Sequence, residues 1–145
     1  MFLKRDSEAK AILESVKKSR IDTQITTDGK QPEELARTKS LSYGIMNLSN
    51  FSHLAYFGKV LGIDLWHRKT DKSGGMQDAF AFLKPYADGA QKWELQQISL
   101  LDNEIEKLKK LFVATGSRMK IPSYCEYTTA LKNNDDIEVL LKPCF

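Results

Sequence analysis

Ser40–Val60 reads SLSYGIMNLSNFSHLAYFGKV, and its spacing predicts a central helix. Ile45, Leu48, Phe51, Leu54 and Ala55 recur at intervals of three and four, which gathers them on one stripe. Leu41, Tyr43, Met46, Asn50 and Phe57 occupy much of the remaining surface. A helix apolar almost all round is expected to be buried on more than one side. Gly62 supplies the stop, since it tolerates the left-handed conformation that ends helices.

Working outward toward the N-terminus, Gln24–Lys39 is polar and rich in turn residues. Thr27-Asp28-Gly29-Lys30 predicts a tight turn. Pro32 then opens a short helix at the position where its missing N–H costs nothing. Glu33 and Glu34 sit in that first turn, where the helix dipole favours acids. Further upstream, Ala9, Ile12, Leu13 and Val16 give Glu8–Ser19 one buried helical face.

In the other direction, Lys69–Gly75 predicts a charged, glycine-rich turn. A helix follows over Met76–Lys84, with Pro85 at its end or in its last turn. Leu100–Thr115 has the plainest amphipathic pattern, and Gly116 is expected to close it. Pro122–Leu131 and Asp136–Leu141 are read as two further helices. A short extension near Ile137–Leu140 is the nearest approach to β-alternation. The expected fold class is all-α, built from antiparallel helical hairpins.

The chain has 145 residues, a hydrophobic fraction of 41% and a charged fraction of 28%, which suits one domain with its own core. The formal net charge of +3 comes from basic residues interspersed with acids, not massed on one element. That distribution suits steering of an anionic substrate and argues against nucleic acid as a primary partner. No run is long enough to span a bilayer, and the N-terminus lacks a secretory h-region. A cytoplasmic location is expected if the chain is complete, and a periplasmic or secreted one if it belongs to a longer precursor. Cys125 and Cys144 are expected to be two free thiols, with a bond between them as the alternative.

Several chemistries find no support. Gly74-Gly75 lacks the Lys-Ser/Thr of a nucleotide loop. His53 and His67 have no accompanying ligand cluster, so neither a metal nor a cofactor is expected. Arg37, Tyr43 and Asn47 stand out instead. Arg37 either pairs with Glu33 or Glu34, or turns its planar fork toward a carboxylate. Tyr43 serves either as an apolar plate with a tethered hydroxyl or as a proton-transfer group beside a cation. Asn47 lies one turn beyond Tyr43 on the same side, and Asn50 one step further round. Gln31, Trp66, His67 and Trp93 complete the candidate substrate-binding set, with loop anchoring as the alternative role for the two tryptophans.

The run RIDTQITTDGKQPEELARTKSLSYGIMNLSNF, followed by GKVLGIDLW and DAFAFLKPYADGAQKW, resembles the helical domain of the alginate lyase family. The resemblance extends from about Ala11 to Pro143, and its register suggests the C-terminal half of that domain, apparently without the N-terminal hairpins. It implies an (α/α) toroid, here partial, and β-elimination on uronate polysaccharides. It assigns Tyr43 as the catalytic tyrosine and Arg37 as a neighbouring active-site arginine. The family's Asn-His pair has no counterpart, because no adjacent Asn-His occurs in this sequence. The implied partner is an acidic, alginate-like oligo- or polysaccharide, with weak or absent turnover. A non-catalytic saccharide-binding or helical assembly module is the rival reading, and a homodimer is one way to cover the open side of a partial ring.

Overall fold

The computed structural model describes residues 5–131 and Cys144. Helix α1 (Asp6–Val16) runs into a wider π turn over Lys17–Ile21 and a single α turn, α2 (Asp22–Gln24). Short α3 (Pro32–Leu35) precedes the long α4 (Ser40–Leu61). Helices α5 (Met76–Ala87) and α6 (Leu101–Met119) follow, then α7 (Pro122–Cys125), which tightens into a 3₁₀ turn over Glu126–Ala130. The fold is all-helical, and the described residues contain no strand, only isolated bridges at Lys39–Gln97 and Thr70–Ser73. The helix expected at Asp136–Leu141 and the extension near Ile137–Leu140 lie outside the described residues.

Helix α4 is the axis of the core and packs against α1, α3, α5 and α6. Its N-terminus has no cap from its own neighbourhood. Instead, the Gln97 side chain accepts from the Leu41 and Ser42 N–H groups at 3.0 and 3.4 Å, and the Ser40 N–H donates to the Gln96 carbonyl at 3.1 Å. Donors that every helix start leaves unpaired are thus satisfied by a loop more than fifty residues away. At the other end Gly62 adopts φ 78°, as expected of its stop.

The expectation that α4 is buried on more than one side is met by its four helical neighbours, but one flank stays open. Leu41, Leu48, Phe51 and Ala55 are buried, whereas Met46, Phe57 and Val60 stand about half exposed or more, at 52%, 49% and 61%. The apolar residues on that open flank therefore contribute little to the core. At Gly116 the structure corrects the expected stop: α6 continues past it to Met119 and stops at Lys120, which takes the left-handed conformation at φ 60°. Gly116 is small for a packing reason. A Cβ there would stand 2.8 Å from the Tyr124 Cβ and 3.0 Å from the Ile121 carbonyl oxygen. It lets α7 fold back closely onto α6.

An aromatic cluster fills the space between α5, α6 and α7. The Phe112 ring meets Phe80, Tyr124 and Tyr127 at centroid separations of 4.9–5.0 Å. Beside it, Cys125 and Cys144 form a disulfide, which corrects the free-thiol expectation. Irregular spacing in sequence says nothing about distance in space, and the fold brings their Cα atoms to 5.6 Å. Buried polar side chains are matched in pairs: the Ser52 and Thr115 hydroxyls meet at 2.8 Å across the α4–α6 contact.

Candidate functional site

The polar segment entering α4 folds around one buried amide. Gln31, the residue before Pro32, is 4% exposed and donates from Nε2 to the Gly44 carbonyl at 3.2 Å. Its Oε1 accepts from Asn47 Nδ2 at 2.9 Å, and the same Asn47 nitrogen donates to Gln24 Oε1 at 3.1 Å. Three amides from three elements thereby fix the loop to the N-terminal half of α4. Buried polar groups satisfied in this way rigidify their surroundings.

On the outer side of this network lies the pairing of Arg37 and Tyr43. The Arg37 guanidinium carbon sits 3.3 Å from the centroid of the half-buried Tyr43 ring, a close stack of cation on π face. Arg37 Nη1 also reaches Glu34 Oε2 at 3.3 Å, with 47% of its side chain exposed. Both roles foreseen for Arg37 are therefore compatible with its position. It is tied to α3 by Glu34 and still offers part of its five-donor fork to solvent.

Asn50 shares the helical direction of Tyr43 but is exposed, in a groove between α4 and α6. Trp66 and His67 lie at the opposite end of α4, beside a cavity of about 650 Å³ lined also by Lys59, Asp64, Gln77 and Tyr124. Lys59 is sixteen positions from Tyr43, or roughly 24 Å along the helix axis. There the His67 Nδ1 lies 2.8 Å from Asp64 Oδ2. Burial works against the Asp64 charge, but the hydrogen bonds from the His67 backbone and ring outweigh it and hold the carboxyl below its usual range. Burial pushes the Tyr124 hydroxyl up to about 12. Trp93 is buried at 8% exposure, stacked edge-on against Tyr86, with its indole N–H donating to Ser40 Oγ at 3.0 Å.

The candidate set thus divides among separate places. Arg37, Tyr43, Asn47 and Gln31 form one continuous unit, whereas Asn50, Trp66, His67 and Trp93 each face other surroundings. The candidate site set left out Gln24, Ser40 and Gln97, which hold that unit in place, although Gln24 and Ser40 belong to the run that carries the family resemblance. Gln24 was within reach, as a polar residue in the same loop. Nothing near Gln97 in the sequence marks it as a helix cap.

Among the described residues no group of acidic, histidine or cysteine side chains is arranged to hold a metal ion. No helix among them is long and apolar enough to cross a membrane.

Comparison with known proteins bears on this unit directly. The alginate lyase family profile matches residues 1–93, which contain the whole of it. This chain belongs to the alginate lyase family. A crystal structure of an alginate lyase from Bacteroides ovatus superposes with a TM-score of 0.80 at 26% identity. The match covers 92% of this chain and 36% of that one, so the chain spans about a third of the relative's length. No curated protein matches.

These matches correct the register of the resemblance. The part that matches the family profile is the first two-thirds of the chain, starting at residue 1, and the likeness in structure extends over nearly all of it. Assignment to the C-terminal half of the family's domain does not stand. It rested on the short stretch before the Gln24–Asn47 segment and the missing Asn-His pair, and neither feature fixes a position within a longer fold.

Proposed function

We propose that this alginate lyase family member binds an acidic, uronate-containing saccharide at the Arg37–Tyr43 face, with weak or absent β-elimination. The observation that carries this reading is the stack of Arg37 on Tyr43, one helical turn from Asn47 and its bonds to Gln31 and Gln24. A guanidinium fork suits a carboxylate better than an ammonium does. A tyrosine hydroxyl beside it can give or take a proton at a glycosidic oxygen. Elimination also needs the C5 carboxylate neutralised and the C5 proton removed. Electrostatic preorganisation of that kind is commonly the largest share of catalysis. Arg37 can serve the first need, but the sequence contains no adjacent Asn-His pair to assist in the second.

The helices are read as part of an (α/α) toroid, a reading supported by the match to the Bacteroides ovatus structure. An oxidising location such as the periplasm suits the Cys125–Cys144 disulfide. Helical assembly, as a homodimer, is the second reading, and the exposed Met46, Phe57 and Val60 flank favours it.

Titration calorimetry with mannuronate and guluronate oligomers, paired with absorbance of the unsaturated product, tests the reading. Binding that weakens about tenfold in Arg37→Ala is expected, with turnover near background. Equal affinity for neutral oligosaccharides would overturn the assignment of an acidic ligand. Robust turnover lost in Tyr43→Phe would overturn the claim of weak activity.

A further inference from the structure

The cavity of about 650 Å³ at the C-terminal end of α4 takes no part in the site at Arg37 and Tyr43. Its volume lies within the range that holds a small organic molecule, about 300–1,000 Å³. Much of its lining is apolar: Ala55, Ile63 and Trp66 are buried, and Met119 and Ile121 are half-buried. The Tyr124 ring stands nearly edge-on to Trp66, at 74° and 6.3 Å between centroids. Phe80 and Phe112 pack on the same ring at 5.1 and 4.9 Å. Close packing by three aromatic neighbours fixes that ring before any ligand arrives.

The polar groups of the lining have bonding capacity to spare. Tyr124 is half-buried, yet its hydroxyl makes no hydrogen bond to the described residues. Among those residues every fully buried side-chain nitrogen or oxygen has a partner, so this hydroxyl is within reach of solvent. Burial raises it to about 12, and it keeps its proton at neutral pH. The exposed Gln77 amide is likewise unengaged by the described residues. His67 donates from Nδ1 to the Asp64 carboxylate at 2.8 Å, which leaves its Nε2 without a partner. With His67 neutral, the charges of Lys59 and Asp64 cancel, so this lining selects for no ion. Arg37, at the other end of α4, has no such counterweight within a cavity.

We propose that this cavity is a second ligand site, which takes an uncharged, flat aromatic ring bearing a hydroxyl, a compound of the phenol class. The ring body lies against Trp66, Ile63 and Met119, where an aromatic edge or face is well received. Its hydroxyl exchanges hydrogen bonds with the Tyr124 hydroxyl and the Gln77 amide, each of which can both donate and accept. A charged ring would lose its hydration on entry and find no net opposite charge to repay it, whereas a hydroxyl needs only those two partners. The inference does not rest on the saccharide reading, because Lys59 stands roughly 24 Å along α4 from Tyr43.

Two-dimensional NMR on the ¹⁵N-labelled chain at pH 7 tests this, with 2-naphthol as the probe. The anion 2-naphthoate and the cation 2-naphthylmethylammonium serve as its charged counterparts. Naphthol should shift the Trp66 indole N–H and the amides of 62–67 and 119–124, and leave those of 37–43 in place. It should bind about tenfold more tightly than either ion. Tyr124→Phe deletes only a hydroxyl that holds nothing in the fold, so thermal unfolding should be unchanged while naphthol binds about tenfold more weakly. Gln77→Ala, at an exposed position, should weaken binding in the same direction. No shift around Trp66 would overturn the site. Equal or tighter binding of either ion would overturn the uncharged class, and unchanged affinity in both variants would overturn the hydrogen-bonding roles. A uronate trimer that displaces naphthol would make the cavity part of a saccharide site and overturn the proposal.

Discussion

The two ends of α4 are held by different physics. Its N-terminal end is fixed by side-chain amides and hydroxyls: Gln31, Asn47 and Gln24 on one side, Gln97 and Ser40 on the other. Its C-terminal end leads to Ile63, Leu65 and Trp66, which are buried near the aromatic cluster of Phe80, Phe112 and Tyr124. Apolar packing is non-directional and strong in total, whereas a hydrogen-bonded network contributes less net stability but fixes orientation. The family's matched segment includes Gln24, Gln31, Ser40 and Asn47 of the polar end but not Gln97, and that end is where an exposed cation and a tyrosine are presented together.

The contrast is most exposed to failure at Phe112. Truncation to alanine removes a fully buried ring with three aromatic neighbours and should cost about 3–5 kcal/mol in denaturant unfolding. Saccharide affinity should be retained in the fraction that remains folded. Loss of the disulfide in Cys125→Ser/Cys144→Ser should cost about 2–4 kcal/mol, from the nineteen-residue separation it closes. A cost below about 1 kcal/mol would show that α7 is held by packing alone. At the polar end, Asn47→Ala should cost about 1–3 kcal/mol, because it strands the Gln31 and Gln24 oxygens. Asn47→Leu/Gln31→Leu should cost less than the sum of its single changes, which a double-mutant cycle reads directly.

Alkaline pH separates the ends again. Tyr127 donates to Asp88, and Lys84 Nζ contacts both. Burial, then the bond to Asp88, pushes Tyr127 up to about 12, and the bond to Asp88 also raises Lys84. A group whose folded pKa is raised stabilises the fold fully below its unfolded pKa and loses that stabilisation as pH climbs through the folded value. Stability from Tyr127 should therefore decline between about pH 10 and 12. Tyr127→Phe should flatten that decline. Ultraviolet titration should find Tyr124 and Tyr127 ionising near 12. The smallest expected effect is a gain: Lys120→Gly relieves a left-handed non-glycine residue and should stabilise by about 1 kcal/mol.

Most of the helical frame was legible because its signals are local. The three- and four-residue spacing of Ile45, Leu48, Phe51 and Ala55, Pro32 opening a helix and Gly62 ending one are each decided within a turn or two. The misread features depend on what lies opposite. Gly116 looks like a stop until Tyr124 is seen against it, and Lys120, which does stop α6, has none of the usual stop chemistry. Met46 and Phe57 look like core because periodicity counts apolar residues without knowing how many neighbours surround the helix. The candidate site divides in the same way. Tyr43 and Asn47 were placed by helical geometry, while the grouping of Trp66 and Trp93 with them had no local basis.

The stack of Arg37 on Tyr43 bears finally on the thermodynamics of binding. A free arginine loses much rotamer freedom when a ligand captures it, at about 0.5–1.5 kcal/mol per side chain. Here part of that loss has already occurred on folding. The bridge between Lys39 and Gln97, with Ile98 N–H donating to the Thr38 carbonyl at 3.1 Å, also restrains the loop that carries Arg37. A carboxylate arriving at this face meets a cation that is already positioned, so its capture should carry a small entropic penalty and require little rearrangement of the chain.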